Sequence, residues 1–145
     1  MKGDCWPVKS HDAALIVEGG AMRSIFSAGL LDRFLREDFD PFDFYIGVSA
    51  GAGNLAAFLA GAPRTSLNVY LDLALRKEFI DYRRFLRGGH LIDLDWLFAE
   101  NLSRGWLDIP AVFKRGKPLY VGVTELASGE AELLRASPDN LVGII

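Results

Sequence analysis

The apolar residues in the first half of the chain form short runs separated by an amphipathic stretch. Residues 13–17 and 42–48 are short, nearly continuous apolar runs, which are typical of strands buried in a parallel sheet. Between them, apolar side chains recur at spacings of three and four from Ile25 to Leu35, with Ser24 as a candidate N-cap. A small-residue helix is predicted over residues 52–60. This order predicts right-handed βαβ crossovers and a mainly parallel sheet.

The second half of the chain extends this pattern. It predicts a helix over residues 67–77, a mixed segment over 79–90 and a helix over 93–102, with Trp96, Leu97 and Phe98 facing inward. A strand over 119–124 and an antiparallel strand over 130–134 are expected to form a hairpin. A final helix, capped by Ser137, follows. The expected fold is an α/β domain with a mainly parallel sheet. Because that last helix would end on Ile-Ile without a C-cap, we expect an incomplete domain.

The composition limits the functional classes and the cellular location that are expected for this chain. The chain has 145 residues, half of them apolar, and a net charge of −3, which gives no support for nucleic-acid binding. The single cysteine, Cys5, favours a reducing compartment, and residues 1–12 contain no signal-peptide pattern. The uncharged stretch 46–62 is short for a membrane span and rich in small residues. A cytoplasmic location is therefore expected.

Residues 47–51, Gly-Val-Ser-Ala-Gly, join the second predicted strand to the next helix. In a strand–turn–helix setting, G-x-S-x-G is a nucleophile elbow, which exposes a serine hydroxyl on a sharp turn. Gly47 and Gly51 would avoid clashes there, and the Ala50 N–H would lie beside Ser49 at a helix N-terminus. The alternative is a small-residue turn that only allows a helix to pack closely on a sheet.

A second glycine-rich loop follows the first predicted strand. It contains Gly19, Gly20, Ala21 and Arg23, and it leads into a helix. Backbone N–H groups at such a position can bind an anion or a developing oxyanion. Neighbouring parallel strands bring their carboxyl ends to one edge, so this loop and Ser49 should lie close together. For Arg23, a plain surface or ion-pair role is the alternative.

Other chemistries have weaker support. A dinucleotide site needs G-x-G-x-x-G, of which residues 19–24 keep only the first glycine in register, and no Gly-Lys-Ser/Thr is present. His90 lies too early to complete a Ser-His-acid triad, His11 is expected to face solvent, and Cys5 has no histidine partner in a recognisable motif. The arginines and aromatic residues of segment 79–90 suit either a solvated face or transient contact with an anionic lipid surface.

With both loops considered, the sequence resembles the patatin-like phospholipases, most closely their bacterial branch. The resemblance rests on Glu18 to Ser24, on the motif 47–51 and on stretches 79–96 and 121–124. It implies a doubly wound, three-layer α/β/α fold with helices on both faces of the sheet. It also implies hydrolysis of lipid or other acyl esters by a Ser–Asp dyad, with Ser49 as nucleophile and the loop 19–24 as oxyanion hole. No metal or cofactor is implied. The family's aspartate lies in a later Asp-Gly-Gly or Asp-Gly-Ala motif, which this sequence lacks, so residues 1–145 would be the domain's N-terminal portion.

Two residues depart from the family pattern. Ala21 replaces its third glycine, and Ser24 replaces the glycine after arginine. We expect a negative φ at Ala21, since this is the favourable choice for a residue with a Cβ, and therefore an intact oxyanion donor. Two functions remain open: a serine esterase or phospholipase, and a non-catalytic lipid- or ligand-binding domain on the same scaffold. Oligomeric state is not indicated.

Overall fold

The computed structural model of the protein describes residues 12–145. Cys5 and His11 lie outside the described residues. The described elements, in chain order, are β1 (Ala14–Val17), a 3-10 helix (Ala21–Ser24), α1 (Ile25–Arg36), β2 (Phe44–Val48), α2 (Ala50–Ala60), α3 (Thr65–Leu71), a 3-10 turn (Leu73–Leu75), α4 (Tyr82–Leu86), α5 (Leu94–Ser103), α6 (Ile109–Lys114), β3 (Leu119–Thr124), β4 (Ala131–Arg135) and α7 (Leu141–Ile144).

The four strands form one open sheet in the order β1-β2-β3-β4. β1 pairs with β2, and β2 with β3, in parallel, while β4 returns antiparallel on β3. Val17 is paired with Gly47 at the carboxyl ends of β1 and β2, so the loops that follow these two strands leave the same edge. The predicted mainly parallel α/β fold, its βαβ order and its final hairpin are confirmed.

The described helices pack around α2. α2 contacts β1, β2 and β3, and α1 and α6 pack against it. The buried core comprises Val17, Leu31, Tyr45, Leu55, Ala56, Phe58, Leu59, Val112, Leu119, Ala136 and Leu141. β1 is less buried than the prediction had it: Ile16 is 66% exposed, because the face of the sheet on which its side chain lies is open there.

Two predicted helices differ in their bounds, and two short helices, α4 and α6, were not predicted. The helix expected over 67–77 is α3 followed by a separate 3-10 turn, because Leu73 and Ala74 turn into the interior. The last helix begins at Leu141 instead of after Ser137, because the Asn140 side chain accepts the Ser137 N–H and stabilises a preceding turn. α6 was not predicted; it is short and is capped by Asp108.

None of the helices in residues 12–145 is long and apolar enough to cross a membrane. Trp96, Leu97 and Phe98 are half-buried on α5, in line with the inward orientation predicted for them. Leu97 and Phe98 also line the cavity described below.

Candidate active site

Ser49 occupies the single residue between β2 and α2. Its backbone angles are φ 51° and ψ −128°, a region that a residue with a Cβ adopts only when the surrounding structure imposes it. The side chain is exposed. Ala50 is the first residue of α2, so its backbone N–H has no intrahelical partner and points from the positive end of the helix. The predicted strand–turn–helix setting is therefore present.

The two glycines of the motif are required by packing. A Cβ at Gly47 would lie 2.4 Å from the Cα of Ala52, and a Cβ at Gly51 would lie 2.3 Å from the carbonyl oxygen of Val17. Neither obstacle is a mobile side-chain end. The two glycines therefore let α2 begin directly against the ends of β1 and β2, and this close approach produces the sharp turn at Ser49.

The glycine-rich loop after β1 lies against the Ser49 turn. A Cβ at Gly19 would lie 3.3 Å from the Cβ of Ser49 and 3.1 Å from the carbonyl oxygen of Val48. Gly20 is extended, with φ 173°, and its carbonyl oxygen accepts the Arg23 N–H at 3.0 Å. The structure thus brings together the two loops that sequence analysis had placed at the same edge of the sheet.

The expectation of a negative φ at Ala21 is wrong. Ala21 has φ 47°, in the left-handed region. The cause is the turn closed by the Arg23 N–H and the Gly20 carbonyl, in which Ala21 is the second residue, a position that is positive in the primed turn types. Since Gly19 is fixed against Val48 on one side and α1 begins at Ile25 on the other, loop closure outweighs the local preference of alanine.

Arg23 and Ser24 differ in their surroundings. The Arg23 side chain is exposed, does not line the cavity and has no bonding partner among residues 12–145. Ser24 directly precedes α1, as predicted, but its side chain makes no capping hydrogen bond and is 5% exposed. Ser24 therefore supports the loop from inside instead of capping the helix.

An apolar cavity of about 360 Å³ opens at Ser49. Ser49, Ala50 and Ala21 are among its lining residues, and its walls come mainly from α2, α3 and α5. The apolar wall residues include Val69, Ala74, Phe79, Ile80, Ile92, Leu94, Leu97, Phe98 and Leu107. This volume is within the range of small-molecule sites, and such a lining suits a hydrocarbon chain.

One buried polar residue at the site was missed by sequence analysis. Asn54, on α2, is 2% exposed and hydrogen-bonds to Ser24, Ser27, Ser66 and Tyr70. Burial raises the pKa of Tyr70, although hydrogen bonds involving Asn54 and Ser24 oppose the shift. The available signal was an amide in an otherwise Ala-, Gly- and Leu-rich helix, because a polar group on such a helix needs buried partners.

A general base for Ser49 is not found among residues 12–145. No hydrogen bond joins the Ser49 side chain to a histidine or carboxylate in this range. His90 lies on an exposed loop, outside the cavity lining, where its carbonyl oxygen accepts a hydrogen bond from Arg84 Nε at 2.7 Å. The same described residues include no group of three or more His, Cys, Asp or Glu side chains arranged to hold a metal ion.

Comparison with known proteins gives the family. The sequence profile described as patatin-like phospholipase matches residues 15–136, which include both glycine loops and all four strands except the first residue of β1. The chain belongs to the patatin-like phospholipase family. This is a family of lipid hydrolases, and the open parallel sheet agrees with its α/β fold.

A curated relative is similar over most of the chain. The uncharacterized protein YjjU of Escherichia coli (strain K12) is 44% identical over 118 residues, which cover 79% of this chain. The matched region covers 33% of YjjU, so this patatin-like chain spans about a third of the relative's length. No solved structure gives a significant match.

Proposed function

We propose that this patatin-like domain is a serine acyl-ester hydrolase acting on lipids, with Ser49 as nucleophile. The observation that carries the proposal is the position of Ser49: it has a positive φ, its side chain is exposed and it lines an apolar cavity beside a glycine-rich loop. Strained backbone combined with convergent backbone donors favours a catalytic role over a purely structural turn.

The proposed reaction is acyl transfer through a covalent intermediate. Ser49 Oγ attacks the ester carbonyl and gives its proton to a base, and the carbonyl oxygen becomes an oxyanion. The N–H groups of Gly20, Ala21 and Ala50 are the proposed oxyanion donors, and Arg23 adds positive charge nearby. The alcohol leaves with a proton, and water then releases the fatty acid from Ser49.

The base is proposed to be an aspartate outside these 145 residues, as the family resemblance implies. Two observations support this: the sequence contains no Asp-Gly-Gly or Asp-Gly-Ala, and the described residues provide no partner for the Ser49 hydroxyl. We accordingly propose that the chain is the N-terminal portion of the catalytic domain. We also propose that the acyl chain lies in the cavity between α2, α3 and α5.

Labelling with a fluorophosphonate tests the nucleophile. In full-length protein, the probe is expected to label the parent and not the Ser49→Ala variant, since such probes react with activated serines. Ser128→Ala is the control, because Ser128 is exposed on the turn between β3 and β4, lies outside the cavity lining and should leave labelling intact. Equal labelling of parent and Ser49→Ala would place the nucleophile elsewhere and refute the assignment.

Contact with an anionic lipid surface is a further part of the proposal. Tyr82, Phe85 and Leu86 on α4 are 70%, 55% and 83% exposed. Residues 82–90 contain three arginines and no carboxylate, in a chain whose net charge is −3. Arg84 holds this segment together by donating to the carbonyls of Phe79, His90 and Leu91.

Vesicle sedimentation tests this surface. Phosphatidylcholine vesicles containing phosphatidylglycerol should bind the full-length protein, and Arg83→Gln with Arg87→Gln should weaken binding at least about tenfold, because each basic residue near an anionic surface contributes about 1 kcal/mol. Arg135→Gln, on β4, is the matched control. Undiminished binding by the double variant would assign membrane contact to another surface.

The second candidate function is a non-catalytic lipid-binding domain. It is favoured by the strained φ of Ala21 and by the lack of a base facing Ser49 in residues 12–145. A fatty-acid fluorophore distinguishes the two: a binding domain would retain the ligand and show no hydrolysis of p-nitrophenyl esters, even in the full-length protein.

A further inference from the structure

Asn54 connects the two segments that would have to act on the same substrate carbonyl. It lies on α2, one helical turn after Ala50, the residue that follows the candidate nucleophile. Its Nδ2 donates to the carbonyl oxygen of Ser24 at 2.8 Å. Ser24 is the last residue of the 3-10 helix that starts at Ala21, so this single hydrogen bond joins the nucleophile helix to the oxyanion loop.

The Asn54 amide uses its full hydrogen-bonding capacity. Its second N–H donates to Ser27 Oγ at 3.0 Å, and its Oδ1 accepts from Tyr70 OH at 3.1 Å and from Ser66 Oγ. An amide has two donors and two acceptor positions, and all four are occupied. Because the Ser24 carbonyl can only accept, the NH₂ group has to face it, and the amide cannot rotate without losing several bonds.

The hydrogen bonds around Asn54 lie in buried or partly buried surroundings, and several of them share an atom. Ser27 Oγ also donates to the Ser24 carbonyl, at 2.9 Å, so this oxygen accepts from two residues. Tyr70 and Ser24 are 8% and 5% exposed. Hydrogen bonds in such a dry environment are directional and resist displacement by water.

We propose that Asn54 is a positioning residue, which holds the oxyanion loop 19–24 in register with the Ser49 turn. The effect on catalysis rests on the proposed esterase function. The attachment of the loop to α2 does not depend on that function. The loop needs such support because Ala21 holds an unfavourable φ of 47°. Asn54 supplies a fixed attachment four residues from the start of the helix that carries the Ala50 N–H.

Asn54→Asp tests the attachment with little change in shape. A carboxylate still accepts from Ser66 and Tyr70 but cannot donate to the Ser24 carbonyl. Asn140→Asp is the matched control: Asn140 also donates to a backbone carbonyl, that of Arg135 at 3.2 Å, and accepts the Ser137 N–H, but it lies outside the cavity. Both variants are made in the full-length protein.

Hydrogen–deuterium exchange is the readout that needs no activity. Amides in segment 19–27 should exchange at least about tenfold faster in Asn54→Asp than in the parent, because the local opening of the loop becomes easier. Exchange in peptides of β2 and β3 should not change. In the Asn140→Asp control, exchange in segment 19–27 should equal that of the parent. Unchanged exchange in 19–27, or a uniform increase over the whole chain, would overturn the inference.

Ester kinetics test the catalytic consequence. With p-nitrophenyl butyrate, Asn54→Asp should lower kcat by at least about tenfold with KM within about threefold, as expected when oxyanion donors are misaimed in the transition state. Faster loop exchange with unchanged kcat would refute the positioning role. A parent protein that shows the exchange contrast but neither hydrolysis nor fluorophosphonate labelling would instead refute the esterase proposal and leave the structural attachment standing.

Discussion

Ala21 and Ser49 both hold a positive φ, 47° and 51°, and both line the apolar cavity. A different interaction fixes the backbone of each of these two residues. The closed turn between Gly20 and Arg23 fixes Ala21, and close packing of Gly47 and Gly51 fixes Ser49. Two strained residues at one site indicate that the surrounding fold determines this geometry, since each costs free energy by itself.

The Ala21→Gly variant should be more stable than the parent. Relief of a left-handed φ is worth about 1–2 kcal/mol, and the added freedom of the unfolded chain costs about 0.4–1 kcal/mol, which leaves a net gain of up to about 1.6 kcal/mol. Urea unfolding measures it. Ala99→Gly, at an exposed position of α5, is the control and should lose about 1 kcal/mol. A similar loss in both variants would contradict the positive φ of Ala21.

Gly51→Ala should destabilise the protein by about 3 kcal/mol or more, because its Cβ would overlap the Val17 carbonyl and the first turn of α2 would have to move. Gly53→Ala, two residues later in the same helix, meets nothing within 4 Å and should gain about 0.5–1 kcal/mol from helix propensity. Thermal unfolding of the two variants gives the comparison. Equal effects would mean that α2 does not start against β1.

Val69→Phe should shorten the proposed acyl site. Val69 lines the cavity from α3, and a larger side chain there displaces methylenes that contribute about 0.8 kcal/mol each. In full-length protein, the ratio of kcat/KM for p-nitrophenyl octanoate to that for the butyrate should fall at least about tenfold. Leu71→Phe, 55% exposed on the same helix, should leave the ratio unchanged. An unchanged ratio in Val69→Phe would exclude this cavity as the acyl site.

Asp40 should make stability depend on pH. Burial opposes its ionisation, but hydrogen bonds from Tyr45, Lys117 and Arg115 outweigh this and hold the pKa of the carboxyl below its ordinary value. A lowered folded-state pKa means that the stabilisation is complete above the unfolded-state pKa, about 4, and is lost as pH falls through the folded-state value. Asp40→Asn should therefore be less stable than the parent at pH 7.

The difference between Asp40→Asn and the parent should shrink as pH is lowered from 5 towards 3, which urea unfolding at each pH measures. Asp139→Asn, at an exposed position, is the control and should differ little from the parent at either pH. A stability difference that grew on acidification would show that the ionised Asp40 carboxyl is not stabilised by its three partners.

The sequence contained enough to predict the sheet and the meeting of the two loops. The apolar runs that end at Val17 and Val48 marked two strands, and parallel pairing necessarily brings their carboxyl ends together. α6 escaped prediction because a helix of six residues has too few positions to show a period, although Asp108 and Pro110 mark its start.

The conformation of Ala21 and the role of Asn54 could not be predicted in this way. Local preference favours negative φ for alanine, and the positive value follows only from closure of a turn between two fixed segments. The partners of Asn54 come from the 3-10 helix, α1 and α3, so they are distant in sequence and become visible only when the helices are packed. Hydrophobic periodicity predicts the helices and strands but not the hydrogen bonds between them.

Within residues 47–51, the close packing of Gly47 and Gly51 serves the fold, whereas the Ser49 hydroxyl serves the proposed chemistry. Both glycines are needed for the backbone to fold, whatever the residue between them does. A descendant that had lost the Ser49 hydroxyl would still be under selection to keep both glycines and would still match a pattern built on them. For proteins with this fold, the glycines therefore diagnose ancestry, and the serine, its oxyanion loop and its base together diagnose whether the chemistry has been inherited.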